Sequence, residues 1–253
     1  MSFDWAKKMR FMIVGGILLV LLVIGASIAF LTLYRAPSCI DGKQNQQESG
    51  IDCGGSCTYL CTTQVSAPSV LFTRSLPLPG GRTDVVAYVQ NPNKNAQAKH
   101  APYVIELFAP DATRIGRVDG FVDLPAGKVV PIFVRAAAQG SVVARAFIQF
   151  DERKIPWTSV KGVYLTPRVT EQQLQEGGSP RVTATLVNDT YDPQYDIRAV
   201  AVAFTADGTA VAASETLVPV VRAQSTVPIT FTWNEPFTDS VSRFEVLPTS
   251  PLP

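Results

Sequence analysis

The sequence of 253 residues predicts an all-β protein with two tandem β-sandwiches, which follow one N-terminal transmembrane helix and a disulfide-rich stalk. Three observations support this prediction: an uncharged apolar run near the N-terminus, four cysteines confined to one short polar segment, and a strand-like pattern that occurs twice. The predicted parts are a cytoplasmic tail at residues 1–10, a transmembrane helix at 11–34, a cysteine-rich stalk at 35–66, and β-sandwiches at 67–160 and 161–253.

The transmembrane helix is predicted from the run Phe11 to Tyr34, whose 24 residues include no charged side chain. A bilayer core needs about 20 helical residues, so this run is long enough to cross it. Lys7, Lys8 and Arg10 precede the run, and positive charge favours the cytoplasmic side. The sequence therefore predicts a cell-membrane protein whose N-terminus is cytoplasmic and whose later residues are extracytoplasmic.

Two processed forms compete with a retained anchor. A signal peptide would be cut after a small-residue site such as Ser27-Ile28-Ala29, but the apolar run continues through Phe30. A lipoprotein would be cut before Cys39, but Ala36-Pro37-Ser38 lacks the apolar residue of such a site. Both comparisons favour retention of the helix.

The stalk holds all of the cysteines, namely Cys39, Cys53, Cys57 and Cys61. A segment this short and polar cannot bury a core, so covalent closure has to replace burial. Outside the cell the cysteines are expected to form disulfides, with all three pairings open. Zinc is the competing interpretation, but no pair has the Cys-x-x-Cys spacing of a zinc knuckle.

Oxygen-bearing side chains recur between these cysteines, at Asp41, Asn45, Glu48 and Asp52. Calcium prefers several such oxygens on a flexible loop, so the four residues are the predicted ligands of a calcium ion. The alternative is turn formation, since Asp-Gly and Asn favour turns without any metal.

The segment from Cys39 to Cys61 resembles a short bacterial extracellular motif, Cys-x-Asp-Gly-x-x-Asn-x-x-Glu-x-Gly-x-Asp-Cys-Gly-Gly-x-Cys-x-x-Cys. The last gap is one residue longer here, because three residues separate Cys57 from Cys61. The resemblance implies a surface module of a signal-anchored bacterial protein and implies no activity.

The strand-like pattern occurs twice, displaced by about 97 residues. The segment from Asp84 to Asn91 matches the one from Arg181 to Asn188, and both end in asparagine. Alternate residues share one face of a strand, so three apolar positions in each copy are predicted to face a core. These positions are Val85, Ala87 and Val89 in the first copy and Val182, Ala184 and Leu186 in the second.

A second matched pair is Tyr103 to Asp111 with Ala199 to Asp207, in which Phe108 corresponds to Phe204. In the first copy Tyr103, Ile105 and Leu107 are predicted to face inward and Glu106 outward. In the second copy the corresponding face holds only alanines, whereas Val200, Val202 and Phe204 occupy the other. Which face of the second strand is buried, or whether both are, stays open at this point.

Each copy holds about six candidate strands in about 90 residues, which is near the size of an immunoglobulin-like sandwich. The first copy, with the Asn91-Pro92-Asn93 turn, resembles the water-stress-hypersensitive domains. The second, ending in Ile229-Thr230-Phe231-Thr232-Trp233, is similar to the FxLYD domains of bacterial extracellular proteins. Both resemblances imply binding or structural modules without catalytic residues.

Composition excludes several functions. Lys and Arg number 22 against 21 Asp and Glu, so the chain lacks the basic excess of a nucleic-acid binder. His100 is the one histidine, it is predicted to lie in an exposed loop, and no catalytic motif accompanies it.

The sequence predicts a non-enzymatic cell-envelope protein that uses its sandwiches for binding, adhesion or spacing. Its predicted partners are the lipid bilayer, contacted through residues 11–34, and a protein in the envelope. The alternatives are an accessory subunit of a transport or secretion assembly and a hydrolase with an unrecognised site.

Overall fold

The computed structural model describes residues 3–33, 38–45 and 47–253. It begins with one helix, α1 at Phe3–Leu33, and continues after the cysteine segment with antiparallel strands. Tyr34, Arg35 and the Ala36-Pro37 pair of the lipoprotein alternative lie outside the described residues. The predicted all-β fold with an N-terminal helix is confirmed.

The described strands fall into two consecutive groups, one in each predicted sandwich. The first group is β1 Ser69–Leu78, β2 Arg82–Gln90, β3 Ala96–Phe108, β4 Arg114–Leu124, β5 Val129–Gln139, β6 Arg145–Phe150 and β7 Trp157–Ser159. The second group is β8 Arg168–Gln175, β9 Arg181–Asn188, β10 Gln194–Phe204, β11 Ala210–Val221, β12 Ser225–Thr232 and β13 Arg243–Thr249.

The two groups share one strand order. The first forms the sheets β1-β2-β5 and β4-β3-β6, with β7 paired to β3, and the second forms β8-β9-β12 and β11-β10-β13. The register also agrees, because Ala87 pairs with Ile132 in the first group and Ala184 pairs with Ile229 in the second, each displaced by 97. The segments matched in the sequence thus form corresponding strands, while the assignment of the two groups as a tandem repeat stays a prediction.

The four sheets stack face to face as four layers with three apolar interfaces. The first core lies between β4-β3-β6 and β1-β2-β5, and it includes the predicted inward residues Val85, Ala87 and Val89. The second lies between β8-β9-β12 and β11-β10-β13, and it includes Val182, Ala184 and Leu186. A third core joins the two sandwiches through the outer faces of β1-β2-β5 and β11-β10-β13.

This third core settles the ambiguous face of β10, because both faces of that strand are buried. Ala199 and Ala201 face the core of the second sandwich, whereas Val200, Val202 and Phe204 face the first sandwich. Small residues on one face and large ones on the other therefore reflect two different packing partners.

The asparagine that follows β2 and its counterpart at the end of β9 play the same structural role. Asn91 and Asn188 are fully buried, and each side-chain amide donates to three backbone carbonyls. Each Oδ1 accepts from the backbone N–H two residues later, at Asn93 and Thr190. Because a buried carbonyl without a donor is costly, these amides fix the loops that close each sandwich.

Candidate functional site

The N-terminal helix is long and apolar enough to cross a membrane over Lys7–Thr32, and none of that span is buried against the rest of the chain. A signal sequence near the N-terminus can also be apolar enough and long enough to meet this description. The described helix begins before the predicted run and includes Lys7, Lys8 and Arg10. Its side chains have no protein core to enter, so lipid or a partner helix is the environment that suits them.

The cysteine module, defined here as residues 38–66, is closed by two disulfides. Cys39 bonds to Cys57 and Cys53 bonds to Cys61, and no described cysteine is free. The pairing interleaves, since Cys53 lies inside the loop that the first disulfide closes. The predicted disulfide-rich segment is therefore present, with one of the three pairings that the sequence left open.

The glycines of the motif are required by close packing inside the module. A Cβ at Gly55, where φ is +59°, would lie 1.6 Å from the Gln47 carbonyl oxygen. A Cβ at Gly50 would lie 2.9 Å from the sulfur of Cys61. Only glycine fits such positions, so these motif residues have a structural role.

The predicted calcium ligands are held by hydrogen bonds within the module. The carboxylate of Asp52 accepts from the backbone N–H groups of Asp41 and Gly42, and Glu48 accepts from the Asn45 N–H. The carboxylate of Asp41 in turn accepts from the side-chain amide of Asn45 at 2.7 Å. These contacts suit loop formation, and calcium binding by the four residues stays a prediction.

One described group of three side chains has ligand-type atoms within 4.8 Å of one another, namely Cys39, Glu48 and Cys57. Both sulfurs belong to the same disulfide, so neither can act as a thiolate ligand. The arrangement places a buried carboxylate beside a disulfide and does not form a metal centre.

The cysteine module is docked on the first sandwich. Tyr59 forms a β-bridge with Thr158, and the Leu60 N–H donates to the Trp157 carbonyl at 2.8 Å. Ser66 and Asn93 exchange two further hydrogen bonds. The junction between the module and the sandwich is therefore a fixed contact and not a free linker.

A cleft of about 540 Å³ opens where the two sandwiches meet, beside β5. One wall comes from β3, β4 and β5 of the first sandwich, and the other comes from β10 and β11 of the second. The segment from Thr249 to Pro251 and the side chain of Tyr164 close one end. A volume of this size suits a small molecule or a few side chains of a partner.

Hydrogen bonds hold the cleft around Tyr164 and Asp123, and the one from the Leu252 N–H to Asp123 joins the two sandwiches. The Tyr164 hydroxyl donates to the Ser250 carbonyl and accepts from its N–H, both at 2.7 Å. Burial is the main cause that raises the pKa of Tyr164 to about 12; the Ser250 hydrogen bond lowers this pKa and the nearby charge of Asp123 raises it. Asp123 accepts from the N–H groups of His100 and Leu252, at 2.7 and 2.8 Å.

Tyr103 contributes its hydroxyl to the cleft. Its side chain lies over Gly120 of β4, where a Cβ would approach the Tyr103 oxygen to 2.4 Å. Burial raises the pKa of Tyr103, and the charge of Glu215 raises it further while Arg198 lowers it. Within the described part of the chain this hydroxyl makes no hydrogen bond.

Charged groups line the second wall of the cleft. Arg198 and Glu215 form an ion pair at 3.1 Å across β10 and β11. Asp196 is exposed and has no ion-pair or hydrogen-bond partner among the described residues. The carboxylates of the cleft therefore outnumber its guanidinium, with Asp123, Asp196 and Glu215 against Arg198.

His100 lies inside β3 and not in a loop, so that detail of the sequence prediction is wrong. The register of β3 shifts between Ala98 and Ala101, and His100 occupies the bulge with φ of +54°. Its side chain is 70% exposed, as predicted, with Nδ1 3.9 Å from Asp123. Asp196, displaced by 96 residues, also has a positive φ. The matched spacing of these two residues was the one sequence signal that could have linked them.

Comparisons with known proteins assign neither a family nor a role to this chain. No family model matches the chain, and no curated protein matches it. A solved structure of red sea bream transglutaminase is similar over 74% of this chain and 31% of that chain, with 14% identity and a TM-score of 0.25. A similarity this distant transfers no residue role to this protein.

Proposed function

We propose that this chain is a non-enzymatic, single-pass membrane protein of the cell envelope, with a cytoplasmic N-terminus and β-sandwiches that bind a partner outside the membrane. One observation carries the proposal: an exposed apolar helix of membrane-spanning length precedes a module that two disulfides close. Disulfides persist in oxidising compartments, so the module and the sandwiches belong on the side away from the cytoplasm.

The proposed orientation is supported by charge on the N-terminal side of the helix. Lys7, Lys8 and Arg10 lie within the first turns of the described helix, and positive residues favour retention in the cytoplasm. The same orientation puts the four cysteines outside. Charge and cysteine chemistry therefore support one topology.

Binding is favoured over spacing by the way in which the sandwiches stack. The third core joins them through broad sheet faces, so the second sandwich lies beside the first and not at the far end of a row. Such stacking adds little reach, but it creates the cleft between the two sandwiches. A rigid pair with a fixed cleft suits recognition of a partner.

The non-enzymatic part of the proposal is supported by the surroundings of the single histidine. His100 is mostly exposed, and the polar side chain beside it is Asp123, which already accepts two backbone N–H groups. All described cysteines are in disulfides, so none offers a thiolate nucleophile. The residues around His100 lack the nucleophile and the orienting base of a hydrolase.

The topology is tested by proteolysis of spheroplasts that express the full chain. Protease should remove the region after the helix, and mass spectrometry of untreated membranes should find the N-terminal segment retained. Changing Lys7, Lys8 and Arg10 together to Gln should give a mixed orientation, because the charge bias is lost. Changing Lys43, Lys94 and Lys99 to Gln is the matched control and should leave the orientation unchanged. Protection of the β-sandwiches in the unmodified chain would contradict the proposal.

A second candidate function is an accessory subunit of a transport or secretion assembly. Gly15 and Ala26 are about three helical turns apart and share one face, and a Cβ added at Gly15 would meet no protein atom within 4 Å. Small residues allow close packing of helices in a bilayer. Crosslinking from position 15 in membranes, followed by purification in mild detergent, should capture a helical partner if this candidate is correct and only lipid if it is not.

A further inference from the structure

The rim of the cleft between the sandwiches exposes large apolar side chains. Phe121 on β4 is 69% exposed, and Leu217 on β11 is 53% exposed. The two residues come from different sandwiches, yet both line the same cleft. Exposed apolar groups that gather around a concave site are typical of a binding surface.

The cleft also holds a hydroxyl that no protein group engages. Tyr103 lines the cleft, and its hydroxyl has no hydrogen-bond partner within the described residues. The ring has room in this position because residue 120 is glycine. The oxygen is available to a ligand that donates a hydrogen bond.

The charges of the cleft indicate which kind of ligand fits. Among the described residues, Asp196 is exposed without a partner and Glu215 forms one ion pair, with Arg198. The exposed ring of Phe121 offers a face to a cation. A positively charged group would therefore meet a free carboxylate, an aromatic face and a hydroxyl oxygen, whereas an anion would meet excess negative charge.

We propose that this cleft binds a lysine or arginine side chain of a partner polypeptide, with an adjoining apolar side chain of the same partner against Phe121 and Leu217. The proposal names the chemistry of the partner and rests on the proposed binding function, but it does not depend on the membrane topology. We assign the positive charge to a polypeptide because exposed apolar side chains lie on both walls of the cleft. A simple amine would leave this apolar surface uncovered.

The test is a binding titration of the full chain in nanodiscs, observed by saturation-transfer NMR of the dipeptide acetyl-Lys-Phe-amide. Empty nanodiscs measure partition of the dipeptide into lipid. Saturable binding should be lost for acetyl-Glu-Phe-amide and strongly weakened for acetyl-norleucine-Phe-amide, which lacks the charge. Equal binding of the norleucine peptide would overturn the proposal. So would the absence of saturable acetyl-Lys-Phe-amide binding at concentrations up to about 10 mM, which corresponds to a very weak affinity.

Variants locate the binding. Asp196→Asn should weaken the affinity about two- to five-fold, the range for an exposed charge pair, and Tyr103→Phe about three- to ten-fold, the range for one hydrogen bond. Asp192→Asn is the matched control, because Asp192 is exposed nearby and does not line the cleft. Thermal unfolding of each variant verifies folding. Unchanged affinity in both Asp196→Asn and Tyr103→Phe would overturn the assignment to the cleft.

A free amine distinguishes the two sources of the cation. Phenethylamine carries a ring and an ammonium group but no peptide backbone. It should bind more weakly than acetyl-Lys-Phe-amide if a polypeptide is the partner, and equal or tighter binding would overturn that choice. Failure of these titrations would leave the membrane topology standing, since spheroplast proteolysis tests it separately.

Discussion

Replacing Phe204 with alanine should separate the two sandwiches energetically, because this ring lies at the centre of the core between them. Phe204 is only 3% exposed, and its ring centroid lies 6.0 Å from Phe72 and 6.2 Å from Tyr88. The guanidinium of Arg243 lies 4.3 Å from the same centroid. Removing a buried phenylalanine costs about 3–5 kcal/mol, and the lost ring contacts place Phe204→Ala in the upper part of that range.

Phe108 provides the matched control, since it occupies the corresponding position of the first copy. Phe108 lies on the outer face of the first sandwich, is partly exposed, and contacts Phe147 at 5.7 Å between ring centroids. Because water already reaches this ring, Phe108→Ala should cost only about 1–2 kcal/mol. The same chemical change at equivalent positions thus isolates the effect of the third core.

The assay is guanidinium unfolding of the full chain with its disulfides intact, followed by tryptophan fluorescence. Trp157 lies in the first core and Trp233 packs against the second, so each sandwich has its own probe once Trp5 is changed to Phe. The two probes should report one transition in the unmodified chain and two in Phe204→Ala. The sandwich that depends more on the third core should unfold at the lower guanidinium concentration. Equal losses in Phe108→Ala and Phe204→Ala would refute the reasoning.

Four other changes test the cores, the loops, the cysteine module and the pH response. Leu186→Asp should abolish folding of the second sandwich, whereas Thr185→Asn on the opposite face should cost no more than the hydrogen bond that the Thr185 hydroxyl donates to Glu171, as measured by circular dichroism. Asn188→Ala removes the amide group that donates to three backbone carbonyls and should cost about 2–4 kcal/mol in chemical unfolding, against no loss for exposed Asn234→Ala. Asp52→Ala should lower the midpoint of thermal unfolding even in a chelator, because the backbone N–H groups of Asp41 and Gly42 lose their acceptor. If calorimetry finds no calcium uptake by the unmodified chain, the acidic residues serve only to form the loop. The raised pKa of Tyr164 stabilises the folded state. This stabilisation is complete below a pH of about 10 and is lost as the pH rises through about 12, so the free energy of unfolding should fall by up to about 2–3 kcal/mol more in the unmodified chain than in Tyr164→Phe.

The strand cores were predictable because they depend on short-range alternation. Val85, Ala87 and Val89 are all fully buried, as the pattern indicated, and Ile105 and Leu107 also face the first core. The period of two identifies which side chains share a face without any knowledge of tertiary structure.

The third core was not predictable in the same way. Val86 and Tyr88 look like outward positions of β2, but they are buried against β10, which lies more than 100 residues later in the chain. Whether an outer face is buried depends on a second sheet and not on the strand itself. The large residues at Val200, Val202 and Phe204 gave a partial signal, since both faces of that strand are apolar.

The cleft shows the same limit for a candidate site. Tyr103 has the sequence position of a core residue, and only the glycine opposite it and the wall from the second sandwich turn its hydroxyl into part of a binding surface. Asp196 and Phe121 are far apart in sequence and carry no shared motif. The disulfide pairing likewise could not be predicted from the sequence, because the spacing of the cysteines permits all three pairings.

The third core and the cleft are physically linked, because the two walls of the cleft belong to different sandwiches. Rigid contact at Tyr88 and Phe204 fixes the relative position of the sandwiches, so the distance from Tyr103 and Phe121 to Asp196 is set before a partner arrives. Preorganisation of this kind lowers the entropy cost of binding. Phe204→Ala should therefore weaken acetyl-Lys-Phe-amide binding although Phe204 does not line the cleft, whereas Phe108→Ala should leave the affinity unchanged. Equal affinity in both variants would show that the cleft holds its shape without the third core, and the link between stacking and recognition would be lost.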